Sequence, residues 1–188
     1  ILLEPSRYST YRDIVNRRGS STLGSCIREN GSMRLIDFKT CLGRIGDHPG
    51  EPRNPILMHD AFVLAQSSNC DVIEIGATTG RSTALLGVAL RNAGKILHVV
   101  KAKGDPLADI WFSRAVVGHR LTGTVTMLQD GACLPLAFVT GGIAGDIATC
   151  ITQHVGDKGR VAFLCDGPVL EDVVERARLE PIANAGTV

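Results

Sequence analysis

The sequence has few aromatic side chains and no strong excess of either charge. Aromatic residues make up 4% of the 188 residues, and the formal net charge is +1. So few rings argue against a surface that stacks on bases or sugars. A balanced charge predicts no general affinity for nucleic acids or acidic membranes. We therefore expect no nucleic-acid partner.

Long apolar runs and paired cysteine motifs are also missing. No stretch approaches the ~20 consecutive apolar residues that a membrane-spanning helix needs, and no signal-peptide core is present. The six cysteines form no C-x-x-C pair and no Cys/His cluster with zinc spacing. Reduced cysteines used as small hydrophobic side chains are the simplest interpretation. This usage is typical of an intracellular protein, cytoplasmic or organellar.

The first fifty residues show no sustained hydrophobic period. A short helix is expected over residues 8–18, and a short strand or a helical turn over residues 32–38. Three prolines and a glycine then fall within residues 47–55, which is typical of a linker or an ordered loop. We expect an N-terminal extension and linker over residues 1–53 and one domain over residues 54–188.

Beyond the linker, helical and extended patterns alternate along the chain. Apolar spacing predicts helices over residues 56–66, 82–92, 106–117 and 169–179. Short apolar runs predict strands over residues 72–76, 95–100, 124–128 and 160–165. Residues 134–153 are expected to form one or two helices, broken at glycines. The alternation predicts an α/β fold with a Rossmann-like parallel sheet and helices on both faces.

Residues 71–83 are the most informative segment. A short apolar run that contains Glu74 stops at Gly76, a second glycine follows at Gly80, and a helical pattern begins directly afterwards. Glycines let a ligand approach the backbone, and the start of a helix offers unpaired N–H groups. A carboxylate inside an apolar strand is costly without a partner, which favours a functional or turn-anchoring role for Glu74.

This segment, V-I-E-I-G-x-x-x-G-x-S-T, and the order of elements around it resemble class I S-adenosylmethionine (SAM)-dependent methyltransferases. The small-molecule O-methyltransferase branch is the most similar, and the resemblance covers residues 54–188. It implies that Glu74, Gly76 and Gly80 form the SAM-binding loop, with the backbone of Ala77 and Thr78 near the methionine part. It further implies that Ser82 caps the following helix and bonds the ligand carboxylate, and that Asp130 lies beside the adenine.

The resemblance also assigns a role to Asp166, which follows the strand predicted at residues 160–165. The family places a catalytic or metal-binding aspartate at this point. A carboxylate at the carboxyl end of a strand faces the crevice where open α/β sheets bind ligands. In an O-methyltransferase it can hold Mg²⁺, which lowers the pKa of the acceptor hydroxyl.

The sequence departs from the family in three places. The second strand ends at Lys101 instead of an acid that holds the ribose, and the next acid is Asp105. The family's Gly-Asp-Ala order is scrambled around Asp130. The chain stops where a further strand begins at residues 187–188, so the C-terminal strands are missing or supplied by a partner. We expect a homo- or hetero-oligomer through this open sheet edge.

The predicted function is SAM-dependent methyl transfer to the hydroxyl of a small molecule. An alternative is an inactive methyltransferase-like chain that serves as a structural or assembly subunit, which the three departures favour. A nicotinamide-dependent enzyme is the weakest option, because Gly76-x-x-x-Gly80 lacks the G-x-G-x-x-G pattern and no acid closes the second strand.

Overall fold

The computed structural model describes residues 15–17, 35–46, 48–50, 52–102, 106–142, 144–164 and 168–181. Strands in these residues are β1 (Val15–Arg17), β2 (Val72–Ala77), β3 (Leu97–Lys101), β4 (Val125–Met127), β5 (Leu134–Val139), β6 (Val155–Phe163) and β7 (Leu179–Pro181). Helices are α1 (Leu35–Ile45), α2 (Pro55–Gln66), α3 (Arg81–Ala93), α4 (Pro106–Gly118), α5 (Ala144–His154) and α6 (Pro168–Arg176). Among these residues, no helix is long and apolar enough to cross a membrane.

The strands form one sheet in the order β4-β3-β2-β5-β6-β1-β7. The five strands from β4 to β6 are parallel, with β2 at their centre between β3 and β5. At the other end, β1 pairs antiparallel with both β6 and β7. The sheet confirms the predicted α/β, Rossmann-like architecture with a parallel core.

Alternate side chains of β2 enter two hydrophobic clusters on opposite faces of the sheet. Val72 packs in the cluster that holds residues of α1, α2 and α3, including Phe62 and Leu85. Ile73 and Ile75 pack in the second cluster, with residues of α5 and α6. Every residue of β2 is buried, because successive side chains of a strand point to opposite faces and helices cover both.

The expected helix at the start of residues 134–153 is wrong, because Leu134–Val139 forms the strand β5. This strand pairs with both β2 and β6, and its last four residues are buried. A short run of apolar residues suits a buried strand and a buried helix equally well, so its spacing does not separate them. Tertiary pairing decides in favour of the strand, and helix α5 starts only at Ala144.

The connection from β4 to β5 consists of residues 128–133 and carries no helix. Parallel strands in α/β folds are usually joined through a helix that covers one face of the sheet. These six residues contain no helix, and a cavity lies between residues of β3 and β4 on one side and α5 on the other.

Residues that precede the expected boundary at position 53/54 take part in the same fold. The helix expected over residues 8–18 is wrong where the chain is described, because Val15–Arg17 is the strand β1. For residues 32–38 the helical alternative is correct from Leu35 onward. Phe38, Cys41 and Ile45 of α1 are buried in the cluster shared with α2 and α3. The division into an extension and a domain stays a prediction.

The outer edge of β6, where a partner chain was expected, is paired with β1 of the same chain. The edge of β6 therefore does not need a strand from a partner chain. The strand expected at residues 187–188 lies outside the described residues.

Candidate functional site

The loop between β2 and α3 holds both glycines of the motif. Gly76 has a φ of 88° and Gly80 a φ of 89°, a region that side-chain-bearing residues rarely occupy. A Cβ at Gly76 would overlap the backbone of Gly141, just after β5. The loops that follow these two neighbouring strands are therefore in backbone contact, and this packing by itself requires a glycine at position 76.

Gly80 is the N-cap residue of α3, and α4 packs directly over it. A Cβ at this position would lie 2.9 Å from the Cβ of Ala115 and 2.9 Å from the Cα of Phe112. Packing against α4 by itself requires a glycine at position 80, and the place of Gly80 in a SAM-binding loop stays a prediction.

The Glu74 side chain lies beneath the loop and is fully buried. Its Oε1 accepts hydrogen bonds from Ser82 Oγ at 2.5 Å and from Thr140 Oγ1 at 3.1 Å. Desolvation raises the pKa of this carboxyl, against the opposing effect of hydrogen bonds from Ser82, Thr83 and Thr140. The carboxylate ties together β2, the first turn of α3 and the end of β5, as expected of a residue that anchors the turn.

The expectation that Ser82 caps helix α3 is wrong. The N-cap residue is Gly80, and no side-chain cap bond is present there. Ser82 is buried and its hydroxyl donates to Glu74. That hydroxyl is therefore used within the protein, and a bond from Ser82 to a ligand carboxylate stays a prediction.

Residues 45, 46, 48–50 and 52, called here the cover segment, lie against the start of α3. The buried Arg81 guanidinium donates to the carbonyl oxygens of Ile45 (2.5 Å), Gly46 (3.2 Å), His48 (2.7 Å) and Pro52 (2.9 Å). Thr79 Oγ1 donates to the Pro49 carbonyl at 2.6 Å. Five hydrogen bonds from residues 79 and 81 therefore hold the cover segment on the glycine loop.

Two cavities open at the carboxyl ends of the central strands. The smaller, of about 230 Å³, lies between the ends of β2, β3 and β5, lined by Ile75, Gly76, Val100, Lys101, Ala102, Gly141, Gly142, Asp146 and Ile147. The larger, of about 470 Å³, extends over the open face beside α5, and its lining includes Leu128, Gln129, Asp130 and His154. Val100, Lys101 and Asp146 line both cavities, which therefore adjoin and form one crevice.

Two of the residues suggested by the resemblance line this crevice. Gly76 lies in the smaller cavity and Asp130 in the larger. Glu74, Ala77, Gly80 and Ser82 are buried, Thr78 is exposed, and none of these five lines either cavity. Asp166 lies outside the described residues.

Lys101 stands where the family has an acid, and its charge is already compensated. Its Nζ pairs with Asp109 Oδ1 of α4 and lies 4.8 Å from the centre of the Phe112 ring. The ammonium group is therefore directed toward α4. Its pairing with Asp109 weakens its electrostatic repulsion of a cationic ligand.

Asp146 and His154 belong to the crevice and were missed by sequence reasoning. Asp146 is exposed in the first turn of α5, and His154 lies in the last turn. The Nδ1 of His154 lies 2.9 Å from the Ala132 carbonyl, so Nδ1 carries a hydrogen and donates to it. Asp146 was hidden because residues 134–153 were expected to form one or two helices broken at glycines, which obscured the end of the strand that α5 follows.

Nothing in the described part of the chain forms a group of three or more His, Cys, Asp or Glu side chains that could hold a metal ion. A carboxylate is also missing at the end of β5, where Thr140, Gly141 and Gly142 follow the strand. The described residues therefore give no support to the expected Mg²⁺.

No protein-family model and no curated protein matches the chain, whereas solved structures do. The precorrin-6y C5,15-methyltransferase from Geobacter metallireducens is 12% identical with a TM-score of 0.53, over 70% of this chain and 75% of that chain. The O-methyltransferase TomG from Streptomyces achromogenes, solved with SAM, is 17% identical with a TM-score of 0.46, over 81% and 76%. Cofactor-bound Rv0187 from MTB is 14% identical with a TM-score of 0.46, over 62% of this chain and 57% of that chain.

The chain has the fold of class I SAM-dependent methyltransferases. It spans less than two thirds of Rv0187 and about three quarters of the other two proteins. At 12% identity to the precorrin methyltransferase, the likeness concerns the fold. The ligand and the reaction of this chain are therefore matters for proposal.

Proposed function

We propose that this chain binds SAM in the crevice formed by the two cavities and transfers its methyl group to the hydroxyl of a small molecule. The position of the crevice carries this proposal. It opens at the carboxyl ends of β2, β3 and β5, where open α/β sheets bind their ligands, and the fold is that of SAM-dependent methyltransferases.

The size and chemistry of the crevice fit this cofactor. The larger cavity, at about 470 Å³, falls in the usual range of ~300–1,000 Å³ for small-molecule sites. Asp130 and Asp146 supply negative charge for a ligand that is cationic at sulfur, and Lys101 is paired with Asp109. In the smaller cavity, the backbone of Gly76 and Gly141 leaves room beside the methionine part.

SAM supplies an activated methyl group when it is bound, and methyl transfer is a displacement that depends mainly on proximity and alignment. The chain's own contribution is then to hold the cofactor and to keep the acceptor in line with it. The choice of a hydroxyl acceptor rests on the resemblance of residues 54–188 to small-molecule O-methyltransferases. Asp166 is proposed to face the acceptor, and no part of the proposal requires Mg²⁺.

Calorimetric titration of the purified chain with SAM and with S-adenosylhomocysteine (SAH) tests the cofactor. Asp130→Arg places a positive charge in the larger cavity and is expected to weaken SAM binding by about tenfold or more. Asp157→Arg makes the same change at an exposed residue of β6 that lines neither cavity, and it is expected to bind as the wild type does. If titration of the wild type with millimolar SAM gives no heat of binding, the proposal is refuted.

The reaction is tested separately, by SAH formation over a panel of phenols, catechols and aliphatic alcohols. A hydroxyl acceptor requires SAH to form only when such a compound is present, with the methyl ether as the second product. If SAM binds and the panel gives no ether, methyl transfer to oxygen is refuted and the binding proposal still stands.

The inactive-subunit alternative is favoured by one observation. The end of β3 carries the Lys101–Asp109 pair where the family carries a ribose-binding acid. An inactive chain would assemble with itself or with another protein and show no turnover. A monomer by light scattering that also methylates a substrate would exclude this alternative.

A further inference from the structure

We infer that Asp146 is the carboxylate that holds the ribose hydroxyls of bound SAM, in place of the acid that the end of β3 lacks. This inference rests on the proposed function and concerns the same crevice. It assigns the ribose contact to the opposite wall of the crevice, formed by helix α5, which follows β5.

Asp146 lies where the two cavities adjoin. It is one of three residues that line both cavities, together with Val100 and Lys101. A cofactor with its methionine part beside Gly76 and its adenine beside Asp130 has its ribose between them. Of the three shared residues, Val100 cannot accept a hydrogen bond through its side chain and Lys101 is paired with Asp109. Asp146 is left as the acceptor at this point.

Asp146 is also available for a ligand and is held in place by its helix. Its side chain is exposed, and no cation among the described residues pairs with it. The next residues of α5, Ile147 and Ala148, are buried in the second hydrophobic cluster, as is Ile151 one turn later. This packing fixes α5 and therefore the wall from which Asp146 projects. A diol offers two hydroxyl donors to one carboxylate, which is a favourable charge-assisted contact.

The experiment uses the intact chain and calorimetric Kd values for SAM, SAH and the 2′-deoxy analogue of SAH. Asp146→Asn is expected to weaken SAM and SAH by about tenfold or more, and to the same extent within about twofold. Removing the 2′-hydroxyl should cost clearly more affinity in the wild type than in Asp146→Asn, because a neutral amide oxygen accepts from that hydroxyl more weakly than a carboxylate does. Asp157→Asn is the control, with unchanged affinities.

Three outcomes would overturn the assignment, and each has a different meaning. If Asp146→Asn lowers only the melting temperature and leaves the Kd unchanged, Asp146 merely stabilises the start of α5. If the variant weakens SAM and leaves SAH unchanged, the carboxylate compensates the sulfonium charge instead of the ribose. If the wild type binds neither ligand, the proposed function fails and the role of Asp146 fails with it.

Discussion

Gly76 shows at the residue scale how one position serves two loops. Its φ of 88° and the overlap of any Cβ with Gly141 make a side chain unfavourable whether or not a ligand is bound. We expect Gly76→Ala to lower the free energy of unfolding by about 2–4 kcal/mol, from backbone strain and overpacking. Urea denaturation measures this change.

Gly118→Ala is the matched control, because a Cβ there meets no atom within 4 Å and its φ is not positive. It is expected to be neutral or to stabilise by up to about 1 kcal/mol. Equal stabilities of the two variants would contradict the packing explanation of Gly76. They would favour the explanation that Gly76 lets a ligand approach the backbone.

Glu74 is expected to make stability depend on pH. Burial raises its pKa above the ordinary value of 4.5, so between that value and the raised one the folded chain binds more protons than the unfolded chain. Stability from this group is therefore present below about pH 4.5 and is lost as pH rises toward the raised pKa. Glu74→Gln lacks this loss, and its amide can still bond the hydroxyls of Ser82 and Thr140.

The measurement is the free energy of unfolding of the wild type and of Glu74→Gln from pH 4.5 to pH 8. We expect the free energy of unfolding of Glu74→Gln to increase relative to that of the wild type as pH rises. Glu171→Gln, at an exposed position in α6, controls for the loss of a carboxylate at the surface. A difference between Glu74→Gln and the wild type that shrinks with rising pH would show that the carboxylate is stabilised, not destabilised, by its surroundings.

The cover segment belongs to the element scale, because Arg81 of α3 makes four of the five hydrogen bonds that hold it. Arg81→Met removes four hydrogen bonds to carbonyl oxygens of this segment and is expected to cost about 3 kcal/mol or more. Amide exchange within residues 45–52 should accelerate, while exchange in the strands stays slow. Hydrogen exchange read by mass spectrometry follows both regions in one experiment.

Arg176→Met is the control for this change. Arg176 is exposed and pairs with Asp172 along α6, far in sequence from the cover segment. We expect it to leave exchange in residues 45–52 unaltered. If Arg81→Met also leaves it unaltered, the attachment of the cover segment depends on Thr79 and on the contact of His48 with Trp111.

At the scale of the whole molecule, β1 closes the edge of the parallel sheet. Val15 and Asn16 pair with β6 on one side and with β7 on the other, so β1 is an internal strand. Asn16→Pro is expected to destabilise the chain strongly, because proline removes a backbone donor and is rarely accepted in the interior of a sheet. Urea denaturation measures the decrease in the free energy of unfolding.

Asn16→Ala keeps the backbone donor and is the control, expected to change stability far less. Light scattering on the same proteins tests the edge itself. A strand edge released by Asn16→Pro is expected to promote self-association. If both variants stay monomeric and equally stable, β1 does not protect the edge of β6, and a partner chain again becomes the expected cover.

Local chemistry and hydrophobic spacing were enough to predict much of the fold. The strand, glycine turn and helix of residues 71–83 are predicted from periodicity and from two glycines, and three further helices and three further strands are predicted in the correct order. The same reading missed β5, because a buried strand in the centre of a sheet is apolar on both faces and has no alternating pattern.

The sequence by itself determined the α/β class, the position of the glycine turn and the candidate residues Gly76 and Asp130. Only the tertiary structure decided which residues meet at the crevice. It buried Glu74 and Ser82 under the loop, paired Lys101 with Asp109, and brought Asp146 to the point where the two cavities adjoin. The physical reason is that a binding crevice forms between the ends of strands that are distant in the chain. No local pattern contains their order in the sheet.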